Sequence, residues 1–204
     1  MYDRAVLQRE DKGEWMKTYE LVVPCHFGLE AVLKREIYDL GYEISRVEDG
    51  RVSFLGDAEA VCRANLSLRT AERVLIQVGR FRAVTFEELF QGIRALPWEE
   101  FIPADGKFWV KKASSIKSKL FGPADIQSIA KKAMVERLRQ HYDTEWFPED
   151  GAPYPVRIFL LKDEVMVTLD TSGESLHKRG YRPAAGVAPL TETLAAALLL
   201  LTPW

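Results

Sequence analysis

The chain is 204 residues long, 47% hydrophobic and 28% charged, with 28 Lys and Arg against 30 Asp and Glu and a formal net charge of -2. These values fit a folded chain of one large or two small domains and exclude a disordered tail, a collagen-like repeat or a membrane bundle. Two cysteines, Cys25 and Cys62, are too few for a disulfide framework or a four-cysteine zinc site, and the three histidines are far apart. No metal is therefore expected, and a reducing, cytoplasmic compartment is the default.

Residues 1–16 lack the basic-then-apolar order of a signal peptide and read as a polar, flexible leader, with Met16 a candidate true start. Thr18–Pro24 then reads as a strand. Leu29, Val32, Leu33, Ile37 and Leu40 recur at helical spacing, with Gly41 as the stop. Two alternating runs within Ile44–Leu55 flank Asp49-Gly50, a dipeptide that tolerates the positive backbone angles of a tight hairpin. Asp57 is placed to cap a helix running to about Ser67, and Ala71–Gly79 reads as a strand. The order βαββαβ over residues 17–80 predicts a ferredoxin-like domain, two helices on one face of a four-stranded sheet.

A second pattern starts at Thr85, which caps a helix ending near Leu96-Pro97. Lys107–Ala113 reads as a strand, and Pro123–Tyr142 as an amphipathic helix whose stripe is Ile126, Ile129, Ala130, Ala133, Met134 and Leu138. Lys131, Lys132 and Arg139 fall off that stripe, toward solvent. Pro155–Leu161 and Glu164–Thr171 predict a hairpin turning at Lys162-Asp163, so the second α/β domain covers 81–176. Pro189–Thr202 is strongly apolar, but it is shorter than the roughly 18–20 residues of a spanning helix and contains Glu192. A buried helix is expected there, and no membrane partner.

The near-neutral total hides a local bias. Between Asp105 and Tyr142 nine basic residues face three acidic ones, an excess of +6, while the rest of the chain carries -8. A smaller basic run is His177, Lys178, Arg179, Tyr181 and Arg182. Lysine clusters gain affinity for polyanions by releasing condensed counterions, although a solvated face is the plain alternative. Lys111 and Lys112 lead into a loop, Ser114–Pro123, that carries Lys117 and Lys119 and ends at a helix N-terminus. There, free N–H groups, serine hydroxyls and lysines would contact phosphate without reading sequence. Trp109 and Phe121 are either base-stacking residues or, more commonly for such positions, core.

Catalytic signals are sparse. Cys25-His26 is the one adjacent nucleophile–base pair, and neighbours at a strand end point apart. The loop Pro24–Gly28 lacks the arginine of ferredoxin-like acylphosphatases, and the chain contains no GxGxxG or GxxxxGK[ST] segment.

With KFWVKKASSIKSKLFGPADIQSIAKKAM, then LHKRGYR, then APLTETLAAALLLLTPW, residues 17–204 resemble the N-terminal half of bacterial THUMP-domain methyltransferases. The resemblance is nearest to the RlmL-type large-subunit ribosomal RNA guanine-N2 methyltransferases, a group often labelled N6-adenine-specific DNA methylases. It implies an α+β fold: a ferredoxin-like domain, a THUMP RNA-binding domain, a basic linker at 177–188 and, from 189, the first helix of a Rossmann-like, S-adenosylmethionine-dependent domain. The family's DPxCGSG-like and NPPY-like segments do not occur here. The resemblance therefore implies an RNA-gripping chain without catalytic residues or a cofactor of its own, inactive alone, with ribosomal RNA as partner. Lys111, Lys112, Lys117, Lys119, Lys131, Lys132 and the 177–182 run would hold the RNA; Pro189, Leu190, Glu192 and Thr193 are candidates to line the cofactor pocket of the intact enzyme. The alternatives are the THUMP module of a transfer-RNA-modifying enzyme and a stand-alone RNA-binding protein.

Overall fold

The computed structural model describes residues 7–9, 15–180 and 189–203. They fall into two compact units. One contains the described residues up to Ile76 together with those from Thr171 onward, and the other is Gln77–Asp170. Within the segment expected to be a flexible leader, β1 (Leu7–Arg9) and β2 (Trp15–Lys17) pair antiparallel, Gln8 opposite Met16. The leader carries no strong alternation of apolar residues, so sequence pattern alone did not signal this hairpin.

The first unit follows the predicted order. β3 (Tyr19–Pro24), α1 (Glu30–Asp39), β4 (Ile44–Glu48), β5 (Arg51–Gly56) and α2 (Ala58–Ser67) lead to β6 (Leu75–Arg82), which begins in this unit and ends in the next. The strands lie in the order β4-β5-β3-β6, all antiparallel, as a ferredoxin-like unit requires. The local signals act as read. The Asp57 carboxylate accepts from the Ala60 N–H at 2.8 Å, and Gly41 takes φ +88° just beyond α1. Gly50 turns the β4–β5 hairpin at φ +73°, its N–H donating to the Glu30 carboxylate at 2.8 Å. Leu33 and Ile37 of α1 and Ala60 and Ala64 of α2 are fully buried, as are Leu21 and Phe54 of the sheet. A Cβ at Gly56 would collide with the Ala60 Cβ, so α2 sits close on the strands.

Residues 171–176, expected with the second domain, pack in the first unit. The Thr171 N–H donates to the Val74 carbonyl at 3.2 Å, and the Leu176 N–H to that of Glu72 at 2.9 Å. Asn65 bonds Thr171 Oγ1 and Ser172 Oγ at 3.0 and 2.7 Å, and Arg73 reaches the Gly173 carbonyl and Ser175 Oγ. Polar clasps of this kind leave no periodic trace in sequence.

In the second unit, α3 (Phe86–Arg94) is capped by Thr85, whose hydroxyl accepts from the Glu88 N–H at 3.1 Å. β7 (Lys107–Ile116), α4 (Pro123–Tyr142), β8 (Pro153–Leu161) and β9 (Glu164–Asp170) follow, in the strand order β6-β9-β8-β7. β8 runs parallel to β7 through the α4 crossover and antiparallel to β9. Lys162 and Asp163 both take positive φ, 53° and 67°, the geometry of a two-residue hairpin turn. Ile126, Ala130, Ala133, Met134 and Leu138 form the buried stripe of α4, while Ile129, expected in it, is only half-buried. Trp98 is fully buried, with its indole N–H on the Ile93 carbonyl at 2.8 Å.

The apolar C-terminal segment forms α5 (Glu192–Leu201) within the first unit. It is not the buried helix expected: only Thr193 and Ala197 are buried, and Leu198, Leu199 and Leu201 are more than half exposed. Among the described residues, no helix is long and apolar enough to cross a membrane, and no cluster of His, Cys, Asp and Glu could hold a metal.

Candidate nucleic-acid interface

The expected phosphate-gripping lysines separate into two kinds. β7 extends through Ile116, so the loop before α4 is short, residues 117–122. The Ser115 and Ser118 hydroxyls are already committed. Ser115 Oγ donates to the Leu120 carbonyl, while Ser118 Oγ donates to that of Ile116 at 3.0 Å and accepts from the Asp163 N–H at 3.0 Å. The Asp163 carboxylate in turn accepts from the Lys119 N–H at 2.8 Å, and the Lys162 N–H donates to Ile116 at 3.1 Å. These bonds tie the loop to the β8–β9 turn and hold Lys117 at φ +49°.

The helix end is less open than its sequence promised. Pro123 at the first helical position has no N–H, and the Asp125 carboxylate lies so near Gly122 that a Cβ there would collide with it. What remains for an anion are the lysine side chains. Lys112, Lys117 and Lys119 are exposed, and their ammonium groups have no partner among the described residues.

Lys111 and Lys131 behave differently. A register shift in β7 between Val110 and Lys112 marks a bulge at Lys111, whose Nζ lies 3.9 Å from Asp170. Asp170 also accepts from Arg157 Nε at 2.9 Å, and its side chain is fully buried. Lys131, expected to point to solvent, bonds the Phe108 carbonyl and the Glu149 carboxylate and sits over the Phe108 ring. Lys132 is exposed and lies 5.8 Å from the centroid of Phe90. Arg137 pairs with Glu99, Nε to Oε2 at 3.0 Å, and this bond holds the Glu99 carboxyl below its ordinary range. Acids from outside the +6 window thus neutralise part of it.

Lys162 was missed as a site candidate although the predicted hairpin turn already placed it. The backbone bond from Lys162 to Ile116 sets it at the same strand ends as Lys117 and Lys119. Arg82, at the end of β6, is also exposed, and the following Ala83 N–H reaches the Asp163 carbonyl at 3.0 Å. Trp109 is half-buried, whereas Phe121 is 83% exposed and so is not core.

In the first unit, Arg179 clamps the end of α2 by donating to the Leu66 and Leu68 carbonyls at 2.9 and 2.7 Å. His177 is half-buried and Lys178 exposed; Tyr181 and Arg182 lie outside the described residues. Cys25 is buried, and burial with the nearby Glu30 and Glu72 charges pushes its thiol up to about 12. His26 lies 3.7 Å from Glu72 instead. A Cys-His nucleophile is thereby disfavoured.

The candidates for a methyl-donor pocket stand at the start of α5. Thr193 is buried, Leu190 is exposed, and the cleft beside the helix is lined by Arg35, Arg69, Ala196, Leu199, Leu200 and Thr202. None of Pro189, Leu190, Glu192 or Thr193 borders it.

Residues 20–75 match the family model of the RlmL ferredoxin-like domain, and residues 83–170 that of the THUMP domain. The chain is 52% identical over 191 residues to a Bacillus subtilis (strain 168) protein named "Putative RNA methyltransferase YpsC", covering 93% of this chain and 49% of that protein. It is 37% identical over 190 residues to the ribosomal RNA large subunit methyltransferase K/L of Stutzerimonas stutzeri (strain A1501), covering 91% of this chain and 26% of that protein. The crystal structure of SMU.472 complexed with SAH superposes with a TM-score of 0.87 at 46% identity, over 92% of this chain and 49% of the other. The chain thus spans about half the length of the first relative and about a quarter of the second. It carries an RlmL-type ferredoxin-like domain followed by a THUMP domain.

Proposed function

We propose that this chain is the RNA-binding portion of an S-adenosylmethionine-dependent methyltransferase that modifies guanine N2 in large-subunit ribosomal RNA. The observation that carries the reading is the set of exposed lysines Lys112, Lys117 and Lys119 on a THUMP domain, beside Lys162, whose ammonium groups have no partner among the described residues. Ammonium groups held on a pinned loop contact phosphates with little ordering cost and displace condensed counterions. Lys111 and Lys131 are held by Asp170 and Glu149, while Lys132 is exposed on α4. His177, Lys178, Tyr181 and Arg182 guide the RNA toward a catalytic domain, while Arg179 fixes their base on α2. In the whole enzyme the methyl group comes from S-adenosylmethionine; no chemical step is assigned to the residues of this chain.

The test is fluorescence anisotropy of the 204-residue chain with a fluorescein-labelled RNA hairpin carrying a single-stranded 3′ tail, across a series of KCl concentrations. Lys117→Ala with Lys119→Ala is expected to weaken binding whatever the sequence and to reduce the salt slope by about 2. No binding at low salt, or an unchanged slope in the double variant, overturns the reading.

A further inference from the structure

Phe121 stands 83% exposed in the short loop between β7 and α4, and Ile116 at the end of β7 is 57% exposed. The backbone on both sides of the ring is held. Leu120 is buried and its carbonyl accepts from Ser115, Lys119 is bonded to Asp163, and the Gly122 carbonyl accepts from the Ile126 N–H at 3.0 Å. A single exposed apolar residue needs no explanation. An aromatic ring on a fixed loop, flanked by Lys117 and Lys119 and beside Lys162, all without ammonium partners among the described residues, is a different arrangement.

We propose that Phe121 is a stacking platform for one unpaired base, with Lys117, Lys119 and Lys162 on the flanking phosphates. The RNA taken at this loop is therefore a single-stranded segment rather than a continuous duplex. Within an A-form helix both faces of each base are covered by neighbours, so an exposed ring finds a partner only where a base is splayed out. The aromatic face then adds affinity without reading sequence, and the lysines add the salt-dependent part. This proposal rests on the RNA-binding reading and specifies the form of RNA that it takes.

The experiment compares the 204-residue chain with Phe121→Ala, Phe121→Leu and Phe121→Trp, each against a fluorescein-labelled single-stranded RNA and a blunt RNA duplex. Phe121→Ala is expected to weaken single-strand binding by about 5- to 150-fold, and duplex binding by less than about twofold. Its salt slope stays that of the parent chain. Phe121→Leu shows a similar loss because it keeps apolar bulk without the ring, and Phe121→Trp retains affinity. Melting temperatures of all three stay near that of the parent, since the ring supports no core. Wild-type affinity in Phe121→Ala or Phe121→Leu, or an equal loss on both probes, overturns the stacking role while leaving the lysine reading in place. A parent chain that binds neither probe overturns both.

Discussion

The Lys131 ammonium stands 3.6 Å from the centroid of the Phe108 ring, and the Glu149 carboxylate closes on it at 2.5 Å. Phe108 is 1% exposed and meets Phe147 edge-on at 5.6 Å, so this lysine is anchored at the border of the core. Lys131→Ala is expected to cost about 1–3 kcal/mol through the lost cation–π contact and hydrogen bonds. The salt slope for RNA should stay nearly unchanged, the reverse of the Lys117/Lys119 pair. Urea unfolding and anisotropy on the same variant separate the two effects.

Asp170 ends β9 with its carboxylate fully buried against Arg157 and Lys111. Removing Arg157 takes a charged hydrogen-bond partner from that buried carboxylate, and Arg157→Ala is expected to lower stability by about 3–5 kcal/mol. A loss below about 1 kcal/mol in chemical denaturation would mean that Lys111 and water compensate, as at an exposed pair.

Glu99 should give the second unit an acid-sensitive term. Its carboxyl lies below the ordinary range, chiefly through the Arg137 hydrogen bond. A folded-state pKa below the unfolded one stabilises above the unfolded value, and that stability is lost as pH falls through the folded value. Glu99→Gln is expected to lower stability by about 1–2 kcal/mol at neutral pH. Melting curves of parent and variant should converge as the pH drops through and below the ordinary carboxylate range. A gap independent of pH would contradict this assignment.

Cys25 and Cys62 should differ sharply in reactivity. With its thiol pushed up to about 12 and 6% of its surface exposed, Cys25 carries almost no thiolate at neutral pH. Cys62 is exposed. Iodoacetamide treatment of the native chain followed by peptide mass analysis is expected to find Cys62 modified and Cys25 unmodified. Rapid alkylation at Cys25 would reopen a nucleophilic role.

Most of the fold was legible because its signals are local. The Asp57 and Thr85 caps, the Gly41 stop, the Gly50 turn and the α4 stripe each act within a few residues, and each appears where the spacing placed it. The candidate interface was only partly legible. Spacing placed Lys131 toward solvent, but the acid that receives it lies 18 residues away; Arg137 and Glu99 are 38 residues apart. Phe121 read more readily as core, and only the bonds that pin its loop reveal it as exposed. The return of residues 171–180 to the first unit was equally hidden, because it depends on Asn65 meeting the Thr171 and Ser172 hydroxyls and on Arg179 meeting the Leu66 and Leu68 carbonyls, each more than 100 residues distant.

By itself the sequence determined the order of elements from β3 to β9 and the concentration of positive charge between Asp105 and Tyr142, since these follow from periodicity, capping chemistry and composition. Tertiary structure decided which of those charges are available. Lys111, Lys131 and Arg137 meet acids brought in from distant parts of the chain, while Lys112, Lys117 and Lys119 remain without ammonium partners among the described residues, joined by Lys162 from another turn. The physical reason is that charge is a property of a residue, whereas the ability to grip a phosphate depends on which other groups the fold places beside it.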